Sequence, residues 1–255
     1  MAQLPALLIV MGASGCGKST VGLALAQALG VPFVDGDDLH PASNVAKMSA
    51  GTPLTDEDRI PWLHRIREDA ILLTSPAGLE ALDQPSAPSS ASEAAASAIS
   101  HELSVVLGRI QPASLQARKE AKERGEKRKR EAVVVACSAL TVEYRNLLRG
   151  EEAHFVLPDG REINEPKHLD EHIETFFVYL QGTRPLLLNR MEHRPGHFMK
   201  ASMLDSQLAT LQEPHETDEV NVAVVPLGQG EEGKEERGKE PVIGEAVEKV
   251  RRFIG

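Results

Sequence analysis

Aromatic side chains make up only 4% of the 255 residues, with a single tryptophan and two tyrosines. A stacking platform for single-stranded nucleic acid needs rings in number, so that class is disfavoured. The core must come mostly from Leu, Val, Ala and Ile. Cations are also outnumbered: 28 Lys and Arg against 38 Asp and Glu give a formal charge of −10. A broad duplex-binding surface is therefore not expected. Two cysteines, Cys16 and Cys137, cannot build a disulfide framework, which fits a reducing compartment. The longest apolar runs, near Leu7–Met11 and Ala132–Cys137, are far short of a membrane span. The N-terminal run has no basic stretch before it and leads into a glycine-rich loop, unlike a secretory signal. A soluble, cytoplasmic protein with no nucleic-acid or membrane partner is expected. With 41% hydrophobic and 26% charged residues, the chain can bury one generous α/β domain or two small ones.

Short apolar runs alternate with helical patterns. Ala6–Met11 reads as a buried strand that stops at Gly12. Val21–Leu29 has helical spacing and closes at Gly30. Pro32–Asp35 reads as a second strand, ending in Asp35-Gly36-Asp37-Asp38. Leu39–Met48 looks helical with an interruption at Pro41. Thr55-Asp56-Glu57-Asp58 resembles a capping box with Asp at N3, opening a helix to about Leu73. Further strands are expected at Ala132–Cys137, Phe176–Leu180 and Val220–Val225. Helices are expected at Val142–Leu148, Arg184–His193, Met199–Leu211 and Val242–Ile254. A hairpin is expected about Pro158-Asp159-Gly160. Alternating strands and helices predict a parallel α/β sheet.

Some stretches break this alternation. Ser75–Ser100 is rich in Ala, Ser and Pro with little periodicity, and reads as a partly disordered surface insertion. Arg118–Glu131 carries eight basic and four acidic side chains. It suits either an anionic partner or a solvated helix laced with i,i+4 pairs, and the acidity of the rest favours the latter. Residues 228–240 form a charged linker. The expectation is one domain over 1–255, with insertions at about 75–131, 151–172 and 228–241.

Gly12-Ala13-Ser14-Gly15-Cys16-Gly17-Lys18-Ser19-Thr20 contains G-x-x-x-x-G-K-[ST] between a strand and a helix. Such a loop curls backbone N–H groups around phosphate oxygens, and the following helix adds its positive dipole end. Lys18 is expected at the β- and γ-phosphates and the Ser19 hydroxyl on Mg2+. This predicts a nucleoside triphosphate site. No guanine-reading NKxD segment occurs, and the strand Ala132–Cys137 has no acidic residue at its end. The carboxylates sit after the second strand instead, where Asp35 and Asp37, at alternate positions, could share a side of the cleft.

The motif and three further blocks resemble the gluconokinase family of shikimate-kinase-like P-loop kinases. The blocks are DGDDLHPASNVAKMSAGTPLTDEDRIPWL (Asp35–Leu63), ACSALTVEYRNLLR (Ala136–Arg149) and RPGHFMKASMLDSQLATLQEP (Arg194–Pro214). The resemblance implies a three-layer α/β fold, with a five-stranded parallel sheet in the order 2-3-1-4-5, helices on both faces and a lid. It implies ATP-dependent phosphorylation of D-gluconate on its 6-hydroxyl, with Mg2+, giving ADP and 6-phosphogluconate for the pentose phosphate pathway. It also suggests a homodimer. In that picture Asp37 accepts the hydroxyl proton, and Asp35 with Ser19 holds the Mg2+ shell. His40, Lys47 and Arg59 supply positive groups for the substrate, with Arg59 able to grip a carboxylate bidentately. Each also has a plainer reading, Lys47 and Arg59 as surface ion pairs and His40 as a cap. Ser138 faces the polyol. Arg190, Arg194 and His197 belong to the lid, where the guanidiniums close over the phosphates, Arg194 among the catalytic groups with Lys18 and Asp37. Gln212-Glu213-Pro214 is expected beside the adenine. The rivals are a kinase for another small polyol or acid such as shikimate, and a non-catalytic nucleotide-dependent binding protein using the insertions as its partner surface.

Overall fold

The computed structural model describes residues 3–83, 94–126, 128–168, 172–193, 201–228 and 236–254. Strand β1 (Ala6–Met11) is buried at all six positions, which is why it reads as an unbroken apolar run without alternation. Its side chains still divide by parity. Ala6, Leu8 and Val10 join one core with helix α1 (Lys18–Leu29), while Leu7, Ile9 and Met11 join a second core on the other face.

After α1 come β2 (Phe33–Asp35), a short 3-10 turn (Gly36–Leu39), α2 (Ala42–Ser49) and α3 (Asp56–Thr74). The capping box forms as expected: Thr55 Oγ1 accepts from Asp58 N, and Asp58 Oδ2 accepts from Thr55 N. Next are α4 (Pro76–Asp83), α5 (Ala94–Leu107), α6 (Pro112–Glu123), β3 (Ala132–Ala136) and α7 (Val142–Arg149). The hairpin β4 (Ala153–Val156) and β5 (Glu162–Glu165) stands where the Pro-Asp-Gly turn predicts it. The chain continues through β6 (Glu174–Gln181), α8 (Arg184–Glu192), α9 (Ala201–Thr210), β7 (Val222–Pro226) and α10 (Lys239–Ile254). The main sheet is parallel throughout, in the order β2-β3-β1-β6-β7. Leaving out the separate hairpin, that is the expected 2-3-1-4-5. Faces are covered by α1 and α10 on one side, α3 and α7 on the other.

The structure bears on two expectations for the middle of the chain, and of the first of these stretches residues 84–93 lie outside the described residues. The Ala/Ser/Pro-rich stretch contains α4 and the start of α5, and past the stretch α5 buries Leu103 and places Val106 in the second core. Small residues carry little amphipathic signal, so their periodicity is weak even where a helix packs. The basic stretch after Arg118 is not one solvated helix, because α6 ends at Glu123. Arg118 is only 2% exposed and pairs with Asp83 and Glu131, both at 3.1 Å. Arg128 donates to the Gly30 carbonyl (2.9 Å), and Arg130 lies over the Phe176 ring, 5.0 Å from its centroid. Much of this charge fastens the loop before β3 to the sheet and is not offered to a partner.

Candidate active site

Six residues link β1 to α1, and their conformations explain the glycine pattern. Gly15 has φ +84°, and a Cβ there would stand 2.6 Å from the Leu187 carbonyl oxygen. Gly17, left-handed at φ +93°, is the N-cap of α1, and no side chain caps that helix. The first N–H groups of α1 are thus the natural anion donors. Lys18 Nζ donates to the carbonyls of Gly12 (3.1 Å) and Ala13 (3.4 Å), which keeps the ammonium over the loop. Gln207 of α9 accepts from Ser14 N at 2.7 Å, tying α9 to the loop. Cys16 is buried, and burial pushes its thiol pKa up, so it acts here as a packed backbone position.

A cleft of about 890 Å3 opens above the loop, lined by Ser14 to Thr20 and by Asp35, Asp37, Asp38 and Arg190. Arg190 reaches the Cys16 carbonyl (3.4 Å) and pairs with Glu236 (2.8 Å). Asp35 and Asp37 do share the cleft, but by a route other than strand alternation. Asp35 is the N-cap of the 3-10 turn, and its Oδ1 accepts from Asp37 N at 3.2 Å. A Cβ on Gly36 would meet the Ala136 carbonyl oxygen at 2.3 Å, so glycine is what lets this turn sit against β3. Asp38 has its carboxyl pKa raised by desolvation and by Asp35.

Of the residues expected for the substrate, Asp37 lines this cleft, while His40, Lys47, Arg59 and Ser138 lie outside its lining. His40 stacks on Trp62 (centroids 4.1 Å, 16°) and approaches the Asn44 amide at 3.3 Å. Burial, and then the Arg59 charge, hold its imidazole pKa down to about 4. His40 is therefore neutral at neutral pH, which corrects its expected positive charge. Arg59 donates to the Tyr144 hydroxyl at 3.2 Å. Lys47 pairs with Asp58 at 2.6 Å on the surface, the plainer of its two readings. Ser138 is half-buried just past β3, beside Ala139, whose φ is +42° and whose carbonyl accepts from the buried Arg145 (3.1 Å). Arg194 and His197 lie outside the described residues.

Gln212–Pro214 is not at the phosphate cleft. Gln212 N donates to Leu140 O (2.8 Å) and its Oε1 accepts from Val142 N (2.7 Å), so the start of α7 captures this turn. The far wall of the cleft is instead made by Leu227, Arg237 and Val242, after β7. Sequence reasoning missed these, along with Asp38 and Gln111, which also line the cleft. Only Asp38 carried a signal, as a third carboxylate in one turn; the others come from segments without a motif.

A glycine-rich loop at the switch between β1 and its neighbours, carboxylates at the end of β2 and helices on both faces define a P-loop kinase. The shikimate kinase family model matches residues 14–64. The probable gluconokinase of Xenopus tropicalis is 34% identical, over 82% of this chain and 79% of its own length. The gluconokinase of Gluconobacter oxydans is also 34% identical, over 86% and 83%. Among solved structures, a gluconokinase from Sinorhizobium meliloti is 31% identical, with a TM-score of 0.59, covering 99% of this chain and 95% of that one. The chain belongs to the gluconokinase family.

Proposed function

We propose that this chain transfers the γ-phosphoryl group of ATP to the 6-hydroxyl of D-gluconate, giving 6-phosphogluconate and ADP. The observation that carries the reading is that one cleft holds Lys18 with its P-loop, the Asp35 and Asp37 carboxylates, and Arg190. Phosphoryl transfer asks little covalent work of a protein, so positioning and charge supply most of the catalysis. The N–H groups of residues 12–20 and Lys18 hold the phosphates, and Arg190 moves from Glu236 onto them as the lid, with Arg194 and His197, closes. Asp37 accepts the proton of the attacking hydroxyl. Arg59 takes the substrate carboxylate, with His40 as a neutral hydrogen-bonding group, Ser138 facing the polyol and Lys47 at the rim.

The donor set fits Mg2+, a hard cation that favours oxygen ligands and keeps part of its water. Ser19 and Asp35 would hold it. Among the described residues no three His, Cys, Asp or Glu gather as a cage, so phosphate oxygens and water would complete the shell. The ion would neutralise charge on the transferring group. The described elements surround one five-stranded sheet, which supports a single kinase domain over 1–255. The product would feed the pentose phosphate pathway in the cytoplasm, and a homodimer is the arrangement the resemblance suggests. Among the described residues no helix is long and apolar enough to cross a membrane. A coupled ADP-release assay tests the reading: turnover should depend on gluconate and not on shikimate. ADP release indifferent to gluconate would point to a nucleotide-dependent binding protein.

A further inference from the structure

The β4–β5 hairpin lies outside the blocks that resemble the family, yet it lands on the helix that carries Arg59. Arg161 pairs with Glu57 (3.0 Å) and Glu165 with His64 (2.9 Å), both on α3. From the same hairpin the buried Phe155 stacks on Tyr144, with centroids 6.0 Å apart and planes 28° from parallel. Tyr144 is itself only 2% exposed.

Its hydroxyl is committed in both directions. It accepts from Arg59 Nη1 at 3.2 Å and donates to an Asp56 carboxylate oxygen. The Arg59 guanidinium also lies 5.7 Å from the centroid of the same ring. A free arginine must freeze several torsions when it grips an anion, and anchoring beforehand lowers that cost. Of the five N–H donors on a guanidinium, Tyr144 engages one, which leaves enough for a bidentate grip.

We infer that Tyr144 is the positioning residue that pre-aligns Arg59 for the substrate carboxylate, and that the β4–β5 hairpin sets Tyr144 through Phe155. This rests on the reading of Arg59 given above as the carboxylate-binding group. It gives the β4–β5 hairpin a function: it braces the substrate side of the site, away from the residues that line the phosphate cleft.

Tyr144→Phe removes the hydroxyl and keeps the ring. Loss of a hydrogen bond to a charged group should raise the KM for gluconate about tenfold, with kcat and the KM for ATP changed by less than about twofold. Phe155→Leu should shift the gluconate KM the same way by a smaller factor. Arg59→Ala should raise it more, and adding Tyr144→Phe to that variant should raise it no further, because the two act as one unit. An unchanged gluconate KM in Arg59→Ala overturns the Arg59 reading and the inference with it. A raised KM in Arg59→Ala beside a normal KM in Tyr144→Phe overturns the inference alone. So do independent, multiplying effects in the double variant, or an equal rise in the KM for ATP.

Discussion

The indole Nε1–H of Trp62 donates a 2.7 Å hydrogen bond to the carbonyl of Gly36. The only tryptophan of the chain thereby fastens α3, which carries Arg59, to the turn that carries Asp37 and Asp38. Its ring also stacks on His40. One side chain thus couples the carboxylates at the phosphate cleft to the residues proposed for the substrate. A shift of α3 cannot leave the acidic turn in place without stranding a buried indole N–H.

Lys18→Met should lower kcat by at least about a hundredfold, because a preorganised charge on the transferring phosphates supplies several kcal/mol to the transition state. The fold should survive, since the hydrogen bonds of Lys18 are to the carbonyls of Gly12 and Ala13 and not to the core. Steady-state kinetics alongside a thermal melt checks both halves. Near-normal turnover would remove this loop from the chemistry.

Asp37→Asn should cost about 10² to 10⁴ in kcat with little change in either KM, as expected for a lost general base. Asp35→Asn should instead raise the Mg2+ requirement, and added Mg2+ should restore part of its rate. The amide oxygen of the variant can still accept from Asp37 N, as Asp35 Oδ1 does, so the 3-10 turn should survive and the defect should come from the lost charge. A Mg2+ titration of both variants separates the roles, and rescue of Asp37→Asn alone would exchange them.

The state of His40 makes stability depend on pH. Its folded pKa, about 4, lies below the ordinary 6.5, so the unfolded chain takes up the proton first as pH falls. The stability linked to neutral His40 is complete above pH 6.5 and is lost progressively as pH falls to about 4. His40→Gln removes that proton. Urea midpoints measured from pH 7 to 4 should therefore decline less steeply in the variant than in the parent chain. Equal slopes would mean that His40 titrates normally.

Arg118→Ala should lower unfolding stability by on the order of 3 kcal/mol, since it removes the buried partner of two carboxylates and leaves a cavity. Asp83 and Glu131 are about 30% exposed and can turn to water, which keeps the cost from rising further. Gluconate-dependent turnover of the folded fraction should change little, because the Arg118 cluster is not in the cleft lining. Chemical denaturation reads the stability, and a loss under about 0.5 kcal/mol would match an ordinary surface ion pair.

What could be read along the chain was what short-range geometry dictates. The P-loop is legible because Gly15 and Gly17 must adopt positive φ at fixed offsets from Lys18. β1 is legible because a strand covered on both faces has to be apolar throughout. The box at Thr55 and Asp58 is legible because both partners lie within one helical turn. The family blocks extended this to the whole sheet order.

Charge state and burial were decided only by the fold, because they depend on neighbours far away in sequence. His40 is uncharged because Trp62 covers it and Arg59 stands near it. Arg118 is a core residue because α4 brings Asp83 from 35 positions away. Arg59 is anchored because α7 and the β4–β5 hairpin place Tyr144 and Phe155 beside α3. The wall of the cleft after β7 and the capture of Gln212 by α7 follow from strand order and helix placement. Backbone conformation is set within a few residues, whereas the dielectric surroundings of a charge are set by whatever the completed fold packs against it.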